Sequence, residues 1–175
     1  MVKDADFAIG APNLETCLGC QQGEMVQKPF KTNNDKRKFS NSNLLHFDIC
    51  GPMEVDSIGG SKYLLLIVDE GSGLMHGFCM SHKSDSESNI KKFIVQVGNQ
   101  FDARVKFVRH DSAKEFATNS IKDFYVKHGI EQQVTVMYAH QSNGTAERAI
   151  RTIVTVGRCM LYHAAFDKSF WPKPR

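Results

Sequence analysis

Apolar and polar positions divide the chain near residue 40. The first forty residues hold Gly10-Ala-Pro12, the pair Cys17-Leu-Gly-Cys20 and a polar run from Lys31 to Ser42, in which Phe39 is the one large apolar residue. That run reads as a linker, so an N-terminal segment over 1–40 and a folded domain over 41–175 are expected. Regular patterning begins after it. Leu44 to Cys50 predicts a strand, stopped by Gly51-Pro52. Lys62 to Val68, entered through a Gly59-Gly60 turn, predicts a second strand, and Leu74 to Met80 a third. Three strands on short turns form an antiparallel meander. Ser84 and Glu87 have the spacing of a capping box, and Ile90, Phe93, Ile94 and Val97 follow at helical period. Val105 to Val108 predicts a fourth strand, Ser120 to His128 a helix ended by Gly129, and Gln133 to Met137 a fifth strand. A long helix starts near Gly144. The order is that of an α/β protein with a mixed five-stranded sheet flanked by helices.

Composition removes several classes without naming one. Hydrophobic residues at 41% and charged residues at 23% are close to globular averages. The longest apolar stretch, Tyr63 to Val68, has six residues, against roughly 20 for a membrane span. Met1-Val-Lys-Asp-Ala-Asp6 has no apolar segment of the kind that marks export. Five cysteines, of which Cys17 and Cys20 alone are close together, do not suggest a disulfide framework. A nuclear or cytoplasmic protein in a reducing compartment is expected, neither secreted nor in a membrane. The net charge of +3 is too small to identify a partner, but its distribution is uneven. From Gln132 onward there are six basic residues and two acidic ones, which leaves sixteen basic and seventeen acidic before it. The surplus lies in the last quarter.

Three carboxylates occupy informative positions. Asp48 interrupts an apolar strand, where an unpaired buried carboxylate costs several kcal/mol; it is either a strand-end residue bonded to a turn or a functional acid. Asp111 follows the fourth strand, at the sheet edge where sites form in open α/β folds, and a turn role is the alternative. Glu147 lies in the first turn of the last helix, where the helix dipole favours an acid in any case. At 100° per residue, Arg148, Arg151, Thr155 and Arg158 form one polar stripe of that helix. Ile150, Ile153, Val154, Gly157 and Leu161 form the opposite side, and Glu147 falls on the seam. Three carboxylates at one sheet edge repel each other unless cations neutralise them, and hard oxygen ligands select Mg²⁺ or Mn²⁺. Two such ions about 3.5–4 Å apart suit phosphodiester displacement. The arginines would meet phosphates, or else form a plain solvated face.

These residues also carry a resemblance. Thirty-five residues separate Asp111 from Glu147, the spacing of the Asp-Asp-Glu triad of retroviral and retrotransposon integrases. Leu44 to Pro52 resembles the first-aspartate strand of copia-type LTR-retrotransposon integrases, and Gly59 to Asp69 their second strand. His110-Asp-Ser-Ala-Lys-Glu-Phe116 resembles the second-aspartate motif. Asn143-Gly-Thr-Ala-Glu-Arg148 with Arg151-Thr152 resembles the glutamate helix, and Lys168 to Trp171 the segment after it. The resemblance implies a ribonuclease H-like catalytic core over 41–175, with Asp48, Asp111 and Glu147 as catalytic ligands of a two-metal Mg²⁺ or Mn²⁺ site. It implies DNA as partner, both element ends and target, and action as a homo-oligomer. The implied reactions are 3′-end processing and strand transfer. Arg148, Arg151 and Arg158, with Gln141 and Asn143 of the loop before the glutamate helix, are the implied DNA contacts. An inactive remnant that binds DNA or self-associates is the alternative.

Departures from the family pattern bear on particular positions. Ala113 stands where the second-aspartate motif has glycine, and Val136 to His140 replace a proline-rich approach to the loop. Cys17 and Cys20 match the cysteine half of a family zinc domain, but the first histidine in the chain is His46. Zinc needs four ligands and would bind only with residues supplied by a longer chain; a fragment of a longer polyprotein is expected. Glu115 is read as a local hydrogen-bonding residue and Asp69 as a turn residue near the site. His46 shares a strand face with Asp48 by alternation, and His140 lies in the loop. Cys50 and Cys79 are expected in the core and Trp171 as a packing anchor.

Overall fold

A computed structural model describes residues 40–111, 113–134 and 144–171. The pair Cys17 and Cys20, most of the linker, Val136 to His140, Gln141 and Asn143 lie outside the described residues. The meander is present: β1 (Leu44–Cys50), β2 (Tyr63–Asp69) and β3 (Met75–Met80) pair antiparallel. They are followed by α1 (Asp85–Phe101), β4 (Phe107–His110), α2 (Asn119–His128), β5 (Glu131–Val134) and α3 (Gly144–His163). Short 3₁₀ turns occur at Lys114–Phe116 and Lys168–Phe170. The sheet order is β3-β2-β1-β4-β5, with β4 parallel to both β1 and β5. This is the mixed five-stranded sheet flanked by helices of a ribonuclease H-like fold.

The sheet separates two apolar layers of unequal depth. Leu45 and Phe47 of β1, with Leu65 and Ile67 of β2, pack against α1 and α2 through Ile90, Phe93, Ile94, Val97, Ile121 and Tyr125. The alternate residues of the same strands face α3. There the buried cluster is Leu66, Val68, Ala149 and Ile150, with Cys50, Ile153 and Val154 packed on it. Since Asp48 pairs with Leu66, alternation puts its carboxylate on the α3 side.

Several local expectations shift. The capping box does not form: Ser84 has helical backbone angles and no side-chain cap bond. Glu87 instead accepts from Lys91 Nζ and Thr118 Oγ1, both at 2.6 Å, and so ties α1 to the start of α2. The second helix starts at Asn119, one residue earlier than expected, and Thr118 caps it by accepting from the Ile121 N–H at 3.2 Å. Gly129 ends that helix at φ 65°, where glycine has no steric cost. The fourth strand runs two residues later than its apolar pattern suggests. The N–H groups of Lys106 and Phe107 both go to the Asn43 carbonyl, and the ladder starts there. Val105 is buried in the core without being part of the ladder. β5 starts at Glu131, earlier than expected, and residues 135–137 lie outside the description. β1 ends at Gly51, whose φ is 128°, and an added Cβ would come within 2.7 Å of the Lys62 carbonyl. Cys79 is exposed rather than core, since β3 is an edge strand and α3 covers β1 and β2.

Candidate active site

Parallel pairing places the first two acids. The register Leu44 with Phe107, Leu45 with Val108 and His46 with Arg109 sets Asp111 beside Asp48 two steps further on. Asp48 therefore lies in the carboxyl-terminal half of β1 and Asp111 just past the end of the adjacent parallel β4, toward the edge at which open α/β sheets form sites. The third acid arrives on α3, which packs on β1 and β2. Ala146 and Ala149 are both buried, and such small side chains let the helix approach the sheet closely. Glu147, between them, is exposed on the seam that the helical wheel gives.

The charges of Asp111 and Glu147 reach Asp48, although burial is the larger influence on it. Burial raises the Asp48 carboxyl to about 6. The Ile49 N–H, donated to Asp48 Oδ1 at 2.8 Å, opposes the rise, and the negative charges of Asp111 and Glu147 add to it. Asp111 is exposed, and its Oδ1 accepts from the Ala113 N–H at 3.1 Å. Ala113 itself has φ −61° and ψ 137°, ordinary extended backbone. The position needs no glycine, so the alanine leaves this turn unstrained. An all-oxygen, like-charged donor set fits a hard divalent cation in chemistry. Among the described residues, however, no group of three or more His, Cys, Asp or Glu stands close enough to hold a metal ion.

The arginines divide along α3. Arg148, Arg151 and Arg158 are all exposed. The Arg148 guanidinium folds back over Gly144, where an added Cβ would meet its Nη1 at 2.7 Å. Arg158 instead lines a cleft of about 690 Å³ with Leu161, Tyr162, Phe166, Lys168 and Trp171. Trp171 anchors the segment after α3, its Nε1–H donating to the Val55 carbonyl at 3.1 Å. Lys168 meets both carboxylate oxygens of Glu54 at 2.9 Å.

Other candidates have partners of their own. Asp69 is a turn residue as expected, its carboxylate accepting from the N–H groups of Ser42, Gly71 and Ser72. It is not near the site: it pairs with Leu45, about 10 Å back along β1 from Asp48. Glu115, expected to bond locally, has its carboxylate 3.3 Å from Lys83 Nζ, a partner remote in sequence. His46 is buried with its Nε2 2.9 Å from Glu70. Sequence patterning did not find the hydrogen bonds behind Asp111. The His110 ring meets the Asp111 carbonyl, and burial pulls its pKa down.

Comparison with known proteins finds likeness of two kinds, in sequence and in fold. The chain is 33% identical over 158 residues, 90% of its length, to the retrovirus-related Pol polyprotein from transposon TNT 1-94 of Nicotiana tabacum. The chain is kin to retrotransposon Pol polyproteins. Another such protein, from transposon RE2 of Arabidopsis thaliana, is 28% identical over 66% of the chain. The chain spans 12% and 8% of the length of these Pol relatives. No family model matches it. A structure of the simian T-cell lymphotropic virus intasome in complex with PP2A regulatory subunit B56 gamma superimposes with TM-score 0.60 and 16% identity. That match covers 78% of this chain and 47% of the other, and it supports a ribonuclease H-like, integrase-core type of fold for this chain. Among the described residues, no helix is long and apolar enough to cross a membrane.

Proposed function

We propose that residues 41–175 are the integrase catalytic core of a retrotransposon polyprotein, which cleaves phosphodiesters and transfers DNA strands. The observation that carries this reading is the parallel register that sets Asp111 beside Asp48, with Glu147 on the helix packed over the same strands. Asp48, Asp111 and Glu147 would hold Mg²⁺ or Mn²⁺. Such an ion, when bound, activates an oxygen nucleophile and offsets charge on the leaving oxygen. The chain's own contribution is to place three oxygen donors on one edge and to present Arg148 and Arg151 beside them for the DNA backbone. Arg158, about 15 Å along α3 from Arg148, would meet a more distant phosphate. Element ends and target DNA are the substrates, and the protein acts as an oligomer in the nucleus or cytoplasm.

The test is Mn²⁺-dependent cleavage and strand transfer on branched DNA. Turnover that disappears in Glu147→Gln, with the fold intact, supports the reading. A folded wild-type chain no more active than Glu147→Gln defeats it.

The second reading is a remnant that binds DNA or self-associates without turnover. The open spacing of the acids favours it, since they do not form a closed ligand group among the described residues. It predicts binding that weakens steeply with salt and is unchanged by Asp111→Asn.

A further inference from the structure

Asp111 is the first residue beyond the paired part of β4, whereas Asp48 lies within the β1 ladder. Something other than the sheet must therefore fix the second acid. Directly before it, His110 is 1% exposed, and its ring packs on Phe116 with centroids 5.0 Å apart. The ring Nδ1 meets the Asp111 carbonyl oxygen, while Nε2 lies 2.6 Å from Gln132 Nε2. The same Gln132 nitrogen lies 3.2 Å from the Phe116 carbonyl.

The donors and acceptors of these contacts fit one assignment. A backbone carbonyl only accepts, so Gln132 must turn its NH₂ toward Phe116. That orientation presents a donor to His110 Nε2, which must then carry a lone pair. At the other end, the Asp111 carbonyl requires a proton on Nδ1. Both ends select the neutral Nδ1–H tautomer. A charged ring would set two donors against each other at Gln132.

We propose that His110 is a positioning residue for Asp111: its Nδ1–H, fixed by Gln132 and Phe116, holds the Asp111 peptide so that the carboxylate faces Asp48. The Ala113 N–H grips Asp111 Oδ1 from the other side. The 3₁₀ turn, β5 and the end of β4 thus converge on one peptide group. This rests on the catalytic reading above, because it gives Asp111 something to be positioned for.

The test has a spectroscopic arm and a kinetic arm on the full chain. With ¹⁵N-labelled histidine, long-range ¹H–¹⁵N correlation should show the His110 resonance, identified by its loss in His110→Leu, protonated at Nδ1 and bare at Nε2. Gln132→Leu should mix the tautomers. In Mn²⁺-dependent cleavage of branched DNA, His110→Leu and Gln132→Leu should each lower kcat about tenfold with KM for DNA unchanged. His110→Asn puts an amide N–H where Nδ1–H stood and should recover kcat to within about threefold of wild type. If His110→Leu fails to fold, Gln132→Leu, on the edge strand, carries the test. An active wild type with an Nε2–H ring, or with kcat unchanged in both leucine variants, overturns the inference and leaves the catalytic reading standing. An inert wild type with the Nδ1–H tautomer in place overturns the catalytic reading, and the positioning role falls with it.

Discussion

Beneath α1 and α2, the described residues bury fifteen side chains in one cluster; beneath α3 the cluster holds four. The two sides of the sheet divide the work. The deep side fixes the strands and their register. The shallow side carries Asp48 in β1 and brings Glu147 on a helix held by small residues. Charged groups are tolerable on the shallow side because water can reach part of them, and a partly buried acid costs less than a fully buried one. The proposed site therefore lies where apolar packing is thinnest.

The largest test of this division is in stability. Phe47, on the deep side and fully buried, should cost about 3–5 kcal/mol when replaced by alanine. Ile150→Ala, on the shallow side, should cost about 2 kcal/mol by the same urea titration. Equal losses would show that α3 is held as firmly as α1.

The next tests use pH, and the two sides should respond with opposite sign. The folded-state pKa of Asp48 is raised to about 6. Its protonated form is favoured by the fold, so that contribution is fully present below about pH 4 and is lost as pH rises through about 6. Asp48→Asn should remove this slope and stabilise the metal-free chain at pH 7 by about 1 kcal/mol, discounting for partial exposure. Glu87, which joins α1 to α2, is lowered to about 2 by hydrogen bonds from Lys91, Ser120 and Thr118. Its contribution is present above about pH 4.5 and lost as pH falls toward 2. Glu87→Gln should flatten the acid limb of the stability curve and leave the Asp48 limb unchanged. Unfolding midpoints between pH 3 and pH 8 decide both.

The smallest effect is expected at Ala113. Its extended angles suit any L-residue. Restoring the glycine of the family pattern, as Ala113→Gly, should therefore lower stability by less than about 1 kcal/mol, through chain entropy alone. A gain in DNA turnover would show that the turn needs glycine's freedom after all.

Much of this was legible in the sequence, because alternation and helical period are local signals. They placed the meander, the helix over Ile90 to Val97, and Glu147 on the seam of α3. The errors share a cause. Ser84 and Glu87 have capping-box spacing, but Thr118 and Lys91 compete for the same carboxylate, and Thr118 is remote in sequence. Val105 is as apolar as a strand residue, yet the Asn43 carbonyl decides where the ladder begins. Asp69 has a turn composition that says nothing about which end of β1 it pairs with. The His110, Gln132 and Phe116 arrangement was invisible for the same reason. It joins a strand end, a neighbouring strand and a 3₁₀ turn, and no periodicity records such a meeting.

The short ladder between β1 and β4 has a consequence for how this domain tolerates changes in length. Three pairings, from Leu44 with Phe107 to His46 with Arg109, align two aspartates that are sixty-three residues apart in the chain. Residues added between β3 and α1, or between α1 and β4, need not disturb that alignment. One residue added between Phe107 and Asp111 would shift the acid by about 3.3 Å and turn it toward the opposite side of the sheet. Insertions and deletions in this segment should thus be filtered by five positions, while those in the loops around it pass almost freely.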